Sequence, residues 1–347
     1  MPAKKSRNRK LFAFFIICLS CALLFTACGV KKESSKDIFA MDTFMNIKAY
    51  GGNADEAVQK CCDEIERLDA LFDSCNEQSE IFAVNTGKDA AVSEDTYDII
   101  SRAVKISDMT DGAFDITVYP LIKAWGFTTD DHRVPDAAEI AELLDTVDSG
   151  RINILKDGVV SLSENTEIDL GGIAKGYASD RLMEIFEDYG LYGGIISLGG
   201  NVAAYGRKPD GGLWRVAIEN PDPSISVLKN AEYVGVVKVS GKAVVTSGGY
   251  ERYFEKDGVR YHHIIDPSTG YPAESGIISA TVISKDGCLA DALSTALFVM
   301  GKDKALDFWR EYKESFDCIL VDEDGGVFIT KGIEDIFTSD LAFEVCE

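Results

Sequence analysis

The sequence predicts an α+β fold with mixed, largely antiparallel sheets and packed helices, and three observations support this prediction. Between residues 194 and 285, β-rich runs follow one another and are separated by Gly, Pro, Asn and Asp. Runs with the apolar spacing of helices lie outside this region. Near the C-terminus, two short apolar runs flank Glu-Asp-Gly-Gly at 323–326, which is typical of a hairpin. Strands that follow strands, with helices grouped elsewhere, favour α+β over a parallel α/β sheet.

Helices are predicted where apolar residues recur at positions three and four apart. The first covers 54–72, where the recurring apolar positions are Val58, Cys61, Ile65, Leu68 and Phe72. Asp136 and Glu139 form a capping pattern that begins a second helix, which ends near Val147. Three more helices are predicted at 174–189, 287–300 and 303–314.

Strands are predicted where β-branched and aromatic residues run between turn residues. They cover 194–205, 213–219, 233–240, 243–247, 259–265 and 277–284, and the closing hairpin pairs 317–321 with 326–330. About 310 residues follow the N-terminal segment, which is enough to bury a large core. We expect them to form one connected unit with two lobes.

The N-terminus has the composition of a targeting segment. Five basic residues within 4–10 precede an apolar stretch at 11–27, which is shorter than the about 20 residues that span a membrane. The small residues before Cys28 make 1–27 resemble a bacterial lipoprotein signal peptide, and an uncleaved N-terminal anchor is the alternative. We expect Cys28 to carry a palmitate-containing lipid anchor, with 28–37 as a polar tether. The remaining chain would then lie outside the cytoplasm, held at the cell membrane.

The chain is strongly acidic. Removal of residues 1–27 takes away five positive charges and no negative ones, which changes the formal net charge from −23 to −28. We therefore do not expect this chain to bind nucleic acid, because phosphate contacts need clustered Lys and Arg. An anionic ligand must instead be met by a metal ion, a helix N-terminus or a single basic residue.

The cysteines do not form a recognisable framework. Beyond Cys28 they are scattered and contain no C-x-x-C pair: Cys61, Cys62, Cys75, Cys288, Cys318 and Cys346. A zinc site is therefore not expected. In a helical pattern such as 54–72, a cysteine is by default a small buried side chain.

Asp291 and Thr295 are the most informative polar residues in an otherwise apolar run at 288–301. They lie four positions apart, which places them on one face of the predicted helix. A carboxylate among apolar neighbours has to be paired or hold a metal, because a bare buried charge is very costly. Together with a hydroxyl it suits Mg²⁺, which prefers oxygen ligands. The alternative is that Asp291 caps a backbone group and Thr295 bonds back to a helix carbonyl.

A second polar cluster is predicted at a strand-to-helix junction, in the run Asp-Leu-Gly-Gly-Ile-Ala-Lys at 169–175. Two glycines allow a ligand to approach the backbone, and the following helix directs its first amides and Lys175 towards that point. Such a junction suits a phosphate, although a Gly-Gly pair before a helix is often a simple tight turn. The run is neither a P-loop nor a G-x-G-x-x-G fingerprint.

Three further segments carry polar residues that could belong to a site. Asp115 lies in an apolar turn-like run, followed by aromatic residues that either sandwich a planar ring or fill the core. His263 stands beside Asp-Pro-Ser-Thr-Gly at 266–270, where a histidine is either a general base near neutral pH or a packing imidazole. Arg252 lies in a third run, at 247–254, rich in glycine and aromatic residues.

Six ordered motifs together resemble the ApbE family of FAD:protein FMN transferases, which are commonly bacterial lipoproteins. The resemblance covers 38–335 and leaves 336–347 as a C-terminal tail. The motifs are M-x-T at 41–43, S-E-I with Asn85 at 79–85, G-A-F-D-I-T-V at 112–118, D-L-G-G-I-A-K-G-Y-A at 169–178, H-I-I-D-P-S-T-G at 263–270 and A-D-A-L-S-T-A at 290–296. The family's fold is of the same α+β class and is related to the T-fold.

The resemblance implies a reaction and a set of site residues. The reaction is Mg²⁺-dependent transfer of FMN from FAD to a Thr or Ser hydroxyl of an extracytoplasmic redox protein that carries a flavinylation motif, with release of AMP. It implies His263 as the catalytic base and four metal ligands: Gly172, Asp291, Ser294 and Thr295. The implied FAD contacts are Met41, Ala113, Phe114, Asp115, Asp169, Lys175 and Ile265.

The sequence departs from the family pattern at three positions: Asp42 where glycine is frequent, Cys75 where an aromatic residue is common, and Tyr119 where glycine is frequent. None of these is an implied metal ligand, so the departures bear on FAD affinity before activity. Two alternative functions remain at this level. One is an FAD pyrophosphatase that gives FMN and AMP, and the other is a non-catalytic FAD-binding lipoprotein.

Overall fold

The computed structural model describes residues 32–129 and 131–347, and the signal segment and Cys28 lie outside them. Eight α-helices lie in the described residues: α1 Ala54–Phe72, α2 Glu80–Thr86, α3 Glu94–Met109, α4 Tyr119–Trp125, α5 Ala137–Leu144, α6 Ala174–Asp188, α7 Gly287–Met300 and α8 Lys302–Tyr312. The predicted ranges of α1 and α7 agree with these bounds. The capping prediction at α5 is also confirmed, since the Asp136 side chain accepts from the Glu139 N–H (2.9 Å).

Seventeen strands lie in the same described residues. In chain order they are β1 Glu33–Ala40, β2 Thr43–Tyr50, β3 Ala90–Ala91, β4 Ile152–Leu155, β5 Val159–Leu162, β6 Gly193–Leu198, β7 Asn201–Gly206, β8 Trp214–Glu219, β9 Tyr233–Val239, β10 Lys242–Gly248, β11 Tyr253–Lys256, β12 Val259–His262, β13 Ile277–Ser284, β14 Phe316–Asp322, β15 Val327–Thr330, β16 Phe337–Thr338 and β17 Glu344–Cys346.

The main sheet has nine strands in the order β1-β2-β6-β7-β10-β13-β14-β15-β17. Every neighbouring pair is antiparallel except β15 and β17, which are parallel. Three smaller sheets contain β16-β9-β8, β3-β5-β4 and β11-β12. The predicted α+β class with largely antiparallel sheets is therefore confirmed.

The main sheet is covered on both faces except at its edge strand β1, most of whose residues are exposed. On one face α1, α6 and α7 pack against it and against one another. On the other face the β16-β9-β8 sheet covers it with apolar side chains. Residues of one strand alternate between these layers, so that Val245 of β10 packs with the helices and Val244 with the small sheet. A third, small cluster around Trp125 joins α4 and α5.

Two strand predictions need correction. The predicted strand 194–205 is a hairpin, because Gly199 (φ +58°) and Gly200 (φ +96°) turn the chain between β6 and β7. Both glycines have the positive φ that two-residue hairpin turns demand. The predicted strand 259–265 ends at His262, and Ile265 makes only an isolated bridge to Pro272.

The predicted ends of the domain also differ from the structure. β1 begins at Glu33 and pairs with β2 along its whole length, so residues 33–37 belong to the sheet rather than to the tether. The tail 336–347 contains β16 and β17, which pair with β9 and β15. Within the described ranges, no helix combines the length and the apolarity that crossing a bilayer requires.

Candidate functional site

A cavity of about 650 Å³ opens where the main sheet meets α6 and α7. Its walls come from the β1–β2 turn, the segment before α4, the junction that leads into α6, the β6–β7 turn, the end of β10 and the segment after β12. This volume lies in the range of about 300–1,000 Å³ that small-molecule and cofactor sites occupy.

The cavity brings together eleven of the twelve predicted site residues in the described chain. They are Met41, Ala113, Phe114, Asp115, Asp169, Gly172, Lys175, His263, Ile265, Asp291 and Thr295. Ser294 is buried behind this wall, where its hydroxyl donates to the Asp291 carbonyl (2.8 Å) and lies 2.7 Å from the Ser247 hydroxyl. The roles of these residues remain predictions, although five of the six motifs converge on one cavity; the motif at 79–85 does not line it.

Asp291 is buried, and one of its oxygens is occupied. Its Oδ2 accepts from the Gly176 N–H (2.7 Å), which belongs to the first turn of α6 and has no partner within its own helix. The capping alternative for Asp291 is therefore correct in part, but the capped helix is α6 and not its own. Thr295 Oγ1 lies 3.2 Å from Ser247 Oγ. Asp291, Thr295 and Ser247 all line the cavity.

The contact between α6 and α7 is reciprocal. While Asp291 of α7 accepts from α6, Asp180 of α6 accepts from the Gly287 (2.7 Å) and Cys288 (2.9 Å) N–H groups at the start of α7. Burial raises the pKa of Asp180 to about 6. Each helix thus satisfies the free amides of the other, which fixes their relative position closely.

The junction before α6 holds its carboxylate by local contacts. Asp169 Oδ2 accepts from the Gly171 N–H (2.8 Å), and Oδ1 accepts from the Ser74 hydroxyl (3.0 Å). Burial raises the pKa of Asp169, and these hydrogen bonds oppose that shift. Lys175 is half-buried, and its Nζ donates only a long bond to the Gly171 carbonyl (3.4 Å). Its ammonium group is therefore available to an anion in the cavity.

Both carboxylate oxygens of Asp115 accept hydrogen bonds from other groups of the protein. Its Oδ1 accepts from the Thr117 N–H (2.8 Å) and hydroxyl (2.6 Å), and its Oδ2 accepts from the Ser149 N–H (2.9 Å). Burial raises its pKa, and the bonds from Thr117 and Ser149 counteract the shift. The carboxylate thereby organises the turn that presents Phe114 to the cavity.

His263 has a defined tautomer. The Arg252 carbonyl accepts from both its backbone N–H (3.0 Å) and its Nδ1 (3.1 Å). A carbonyl only accepts, so Nδ1 carries the proton and Nε2 is the basic nitrogen. Burial lowers the pKa of His263 to about 4, with Arg252, His262 and Lys175 adding to the shift. The imidazole is therefore neutral at pH 7 and able to accept a proton.

Several cavity residues were missed at the level of sequence. Thr246 and Ser247 lie near the end of β10, Asn201 begins β7, and Glu251 follows the turn after β10. Burial, together with the nearby Glu219 and Asp291 carboxylates, raises the pKa of Glu251 to about 7, and Lys175 opposes the shift. The run Ser-Gly-Gly-Tyr-Glu-Arg at 247–252 was a signal for this wall, because a polar turn that closes a buried strand is a frequent site position.

Cys75 and Tyr119, two positions at which the sequence departs from the family pattern, are in contact. The Cys75 thiol lies 3.6 Å from the Tyr119 hydroxyl, so the two unusual residues contact each other. Asp42 and Met41 both have positive φ (57° and 47°) in the β1–β2 turn. Asp tolerates this conformation better than most residues, which explains how it takes a position where glycine is frequent.

The oxygen donors around Asp291 fit a hard divalent cation. Among the described residues, no group of three or more His, Cys, Asp and Glu side chains is arranged to hold a metal. A metal site at this position would therefore combine different oxygen ligands: one carboxylate, one hydroxyl and backbone carbonyls. A Cβ built on Gly172 would lie 3.9 Å from Thr295 Oγ1, so the Gly172 backbone approaches α7 closely. Mg²⁺ commonly takes one or two carboxylates and completes its shell with water and phosphate.

The fold and the cavity define an α+β protein with a site suited to a phosphate-containing ligand and a cation. The ApbE family model matches residues 41–320. Two FAD:protein FMN transferases are similar to this chain over most of their length. The protein from Klebsiella pneumoniae (strain 342) is 33% identical, and the alignment covers 77% of this chain and 82% of the relative. The protein from Treponema pallidum (strain Nichols) is 30% identical, and the alignment covers 92% of this chain and 93% of the relative. The chain belongs to the ApbE family.

Solved structures agree with this assignment. The ApbE protein from Thermotoga maritima superposes with a TM-score of 0.81 at 34% identity, covering 88% of this chain and 99% of its own. The flavinyl transferase ApbE from Pseudomonas stutzeri superposes with a TM-score of 0.78 at 28% identity, covering 90% of this chain and 98% of its own. The family resemblance seen in the motifs is therefore confirmed in sequence and in fold.

Proposed function

We propose that this chain transfers the FMN part of FAD to a Ser or Thr hydroxyl of a partner protein and releases AMP. The observation that carries the proposal is the cavity itself, which combines a neutral His263, an available Lys175 and the oxygen donors around Asp291. The relatives named FAD:protein FMN transferase support the same reaction.

The proposed step is a displacement at the FMN phosphorus. The acceptor hydroxyl oxygen forms the new P–O bond, and the P–O bond to the AMP phosphate breaks, so AMP leaves with the bridging oxygen. Nε2 of His263 takes the hydroxyl proton, because Nδ1 is bound to the Arg252 carbonyl. A neutral imidazole at pH 7 suits an alcohol nucleophile, which needs a base at the moment of attack.

The charge of the pyrophosphate is met by three elements of the chain. Lys175 offers an ammonium group, and the positive end of the α6 dipole lies at the same junction, while the Ala174 and Gly176 N–H groups are donated to the Leu170 carbonyl and to Asp291. The Asp291 carboxylate, the Thr295 hydroxyl and the carbonyls of Gly172 and Ser294 would hold Mg²⁺. When bound, this ion would neutralise charge on the transferring phosphoryl group.

We further propose that the reaction takes place outside the cytoplasm, at the membrane. The support is the basic and apolar N-terminal segment that ends at Cys28. The acceptor would then be an exported redox protein with a D-x-x-[S/T]-G-A-[S/T] motif. Labelling of cells with a palmitate analogue, comparing wild type with Cys28→Ser, tests the anchor, and equal labelling of both would refute it.

The activity is tested with purified chain, FAD, Mg²⁺ and an acceptor that carries the motif. The expected result is an acceptor whose mass increases by FMN minus water, together with one AMP per modified acceptor. An acceptor whose receiving residue is changed to Ala is the matched control. AMP and free FMN at a rate independent of acceptor would identify a pyrophosphatase instead, and unaltered FAD after long incubation would identify a storage protein.

A further inference from the structure

A second, smaller hollow of about 270 Å³ joins the large cavity beside His263. The two share Phe127, Glu251 and Arg252, and three residues line only the small one: Thr129, His132 and Tyr253. Its volume lies below the range of drug-sized ligand sites, so it suits a side chain or a short peptide segment rather than a second cofactor. Neither the motifs nor the proposed reaction assigns it a role.

Arg252 links this hollow to the proposed base. Its carbonyl accepts from the Nδ1 and backbone N–H of His263, and its Nη2 donates to the Phe127 carbonyl (3.2 Å). The Phe127 ring centroid lies 6.4 Å from that of His263. A group bound in the hollow therefore lies next to the imidazole that is to take the acceptor proton.

The hollow has a rigid aromatic wall. His132 stacks on Phe254 with centroids 5.0 Å apart and planes 7° apart, and Phe254 stacks on Tyr261 (5.3 Å). Tyr253 is 42% exposed, yet the Arg260 guanidinium lies 4.2 Å from its ring centroid and holds it in place. Exposed aromatic side chains that are already ordered are typical anchors of protein interfaces, because little entropy is lost when a partner covers them.

We infer that this hollow binds the segment of the acceptor protein that carries the receiving hydroxyl. The inference rests on the proposed function, since it places the second substrate of that reaction. Peptide groups and side chains next to the hydroxyl would pack on the faces of His132 and Tyr253. The hydroxyl would then enter the large cavity past Arg252 and reach Nε2 of His263.

The test uses an acceptor whose receiving residue is changed to Ala, so that binding is measured without transfer. Isothermal titration calorimetry gives its Kd for full-length wild type and for the His132→Ala, Tyr253→Ala and double variants, each loaded with FAD and Mg²⁺. Tyr233→Ala is the matched control, because Tyr233 is similarly exposed (45%) but lies on β9, outside both cavities. We expect each single variant to weaken acceptor binding roughly tenfold and the control to leave it unchanged.

A parallel titration of FAD, followed by flavin fluorescence, separates the two ligands. The expected result is an unchanged FAD Kd in all variants. Weakened FAD binding in Tyr253→Ala or His132→Ala would assign the hollow to the flavin and overturn the inference. Equal acceptor Kd values in wild type and double variant, or no binding of acceptor to wild type, would also overturn it. The transfer assay with reactive acceptor reports separately on the proposed function, whose failure appears as unmodified acceptor despite measurable binding.

Discussion

The substitution Gly176→Ala is predicted to damage stability and activity together, because this glycine lies at the closest contact between α6 and α7. A Cβ at this position would lie 2.6 Å from the Asp291 Cβ and closer still to the Gly287 carbonyl oxygen. Ordinary contacts between such atoms are about 3.5–4.0 Å, so the two helices would have to separate by roughly 1 Å. The same movement stretches the Gly176 N–H···Asp291 hydrogen bond (2.7 Å).

The expected loss of stability follows from three contributions. Overpacking of a close contact costs about 1–3 kcal/mol, and loss of a hydrogen bond to a charged acceptor costs about 1.5–3 kcal/mol. The greater helix propensity of Ala offsets about 1 kcal/mol. We therefore expect the free energy of unfolding to fall by roughly 1.5–5 kcal/mol. The transfer rate should fall about a hundredfold, since a displacement near 1 Å at a reacting site has that effect.

Both quantities are measurable on one preparation. Urea unfolding followed by circular dichroism, without FAD or Mg²⁺, gives stability free of ligand effects, and initial rates at saturating FAD give the activity. Gly52→Ala is the control, because no atom lies within 4 Å of the Cβ that it would add. Wild-type stability and wild-type transfer in Gly176→Ala would refute the described packing of α6 on α7.

Three further predictions address single side chains. Asp291→Ala is expected to abolish transfer and Mg²⁺ dependence while the far-ultraviolet circular dichroism spectrum stays native, and full activity would remove this carboxylate from the proposed metal site. His263 has its pKa lowered to about 4 by burial, so its folded-state pKa lies below the ordinary 6.5 and the unfolded chain binds the extra proton between these values. The His263 contribution to stability should therefore rise with pH from about 4 to 6.5, whereas Asp180 and Glu251, whose pKa values are raised to about 6 and about 7, contribute the opposite slope in this range. Comparison with His263→Gln isolates the histidine: in urea unfolding, the stability of wild type minus that of the variant should increase from about pH 4 to 6.5. Asp115→Asn places an amide NH₂ against the N–H groups of Thr117 or Ser149, and we expect about 1–3 kcal/mol of destabilisation in the same assay.

The elements that the sequence predicts well are those in which local pattern and tertiary packing agree. α1 shows this, because its apolar stripe is the face that packs on the main sheet. α3 received no prediction, although Ser93 caps its first turn and Glu94 and Asp95 follow, a start signal that was present in the sequence. The break at Gly199 and Gly200 was missed although the signal was present, because a Gly-Gly pair between two β-prone runs is typical of a two-residue hairpin turn.

The candidate site was predictable only in part, for a different reason. Motifs with unusual composition, such as the Asp291 and His263 runs, could be found because their polar residues stand out from apolar neighbours. Ser247 lies at the end of an ordinary strand, and only the packing of β10 on α7 brings its hydroxyl within 3.2 Å of Thr295. The same holds for the pairing of Asp291 with α6, which joins residues 115 positions apart.

The reciprocal capping of α6 and α7 connects stability to chemistry in this fold. α6 places Lys175 and the positive end of its dipole at the proposed phosphate position, and it also donates the Gly176 amide that fixes Asp291. A change that separates the helices therefore acts on the anion site and the cation site at once. The β11–β12 hairpin is a separate two-stranded sheet, joined to the site through Arg252 and His263. Changes on its exposed face should then affect the acceptor alone, which is why measuring acceptor and FAD affinities separately can distinguish the two halves of the site.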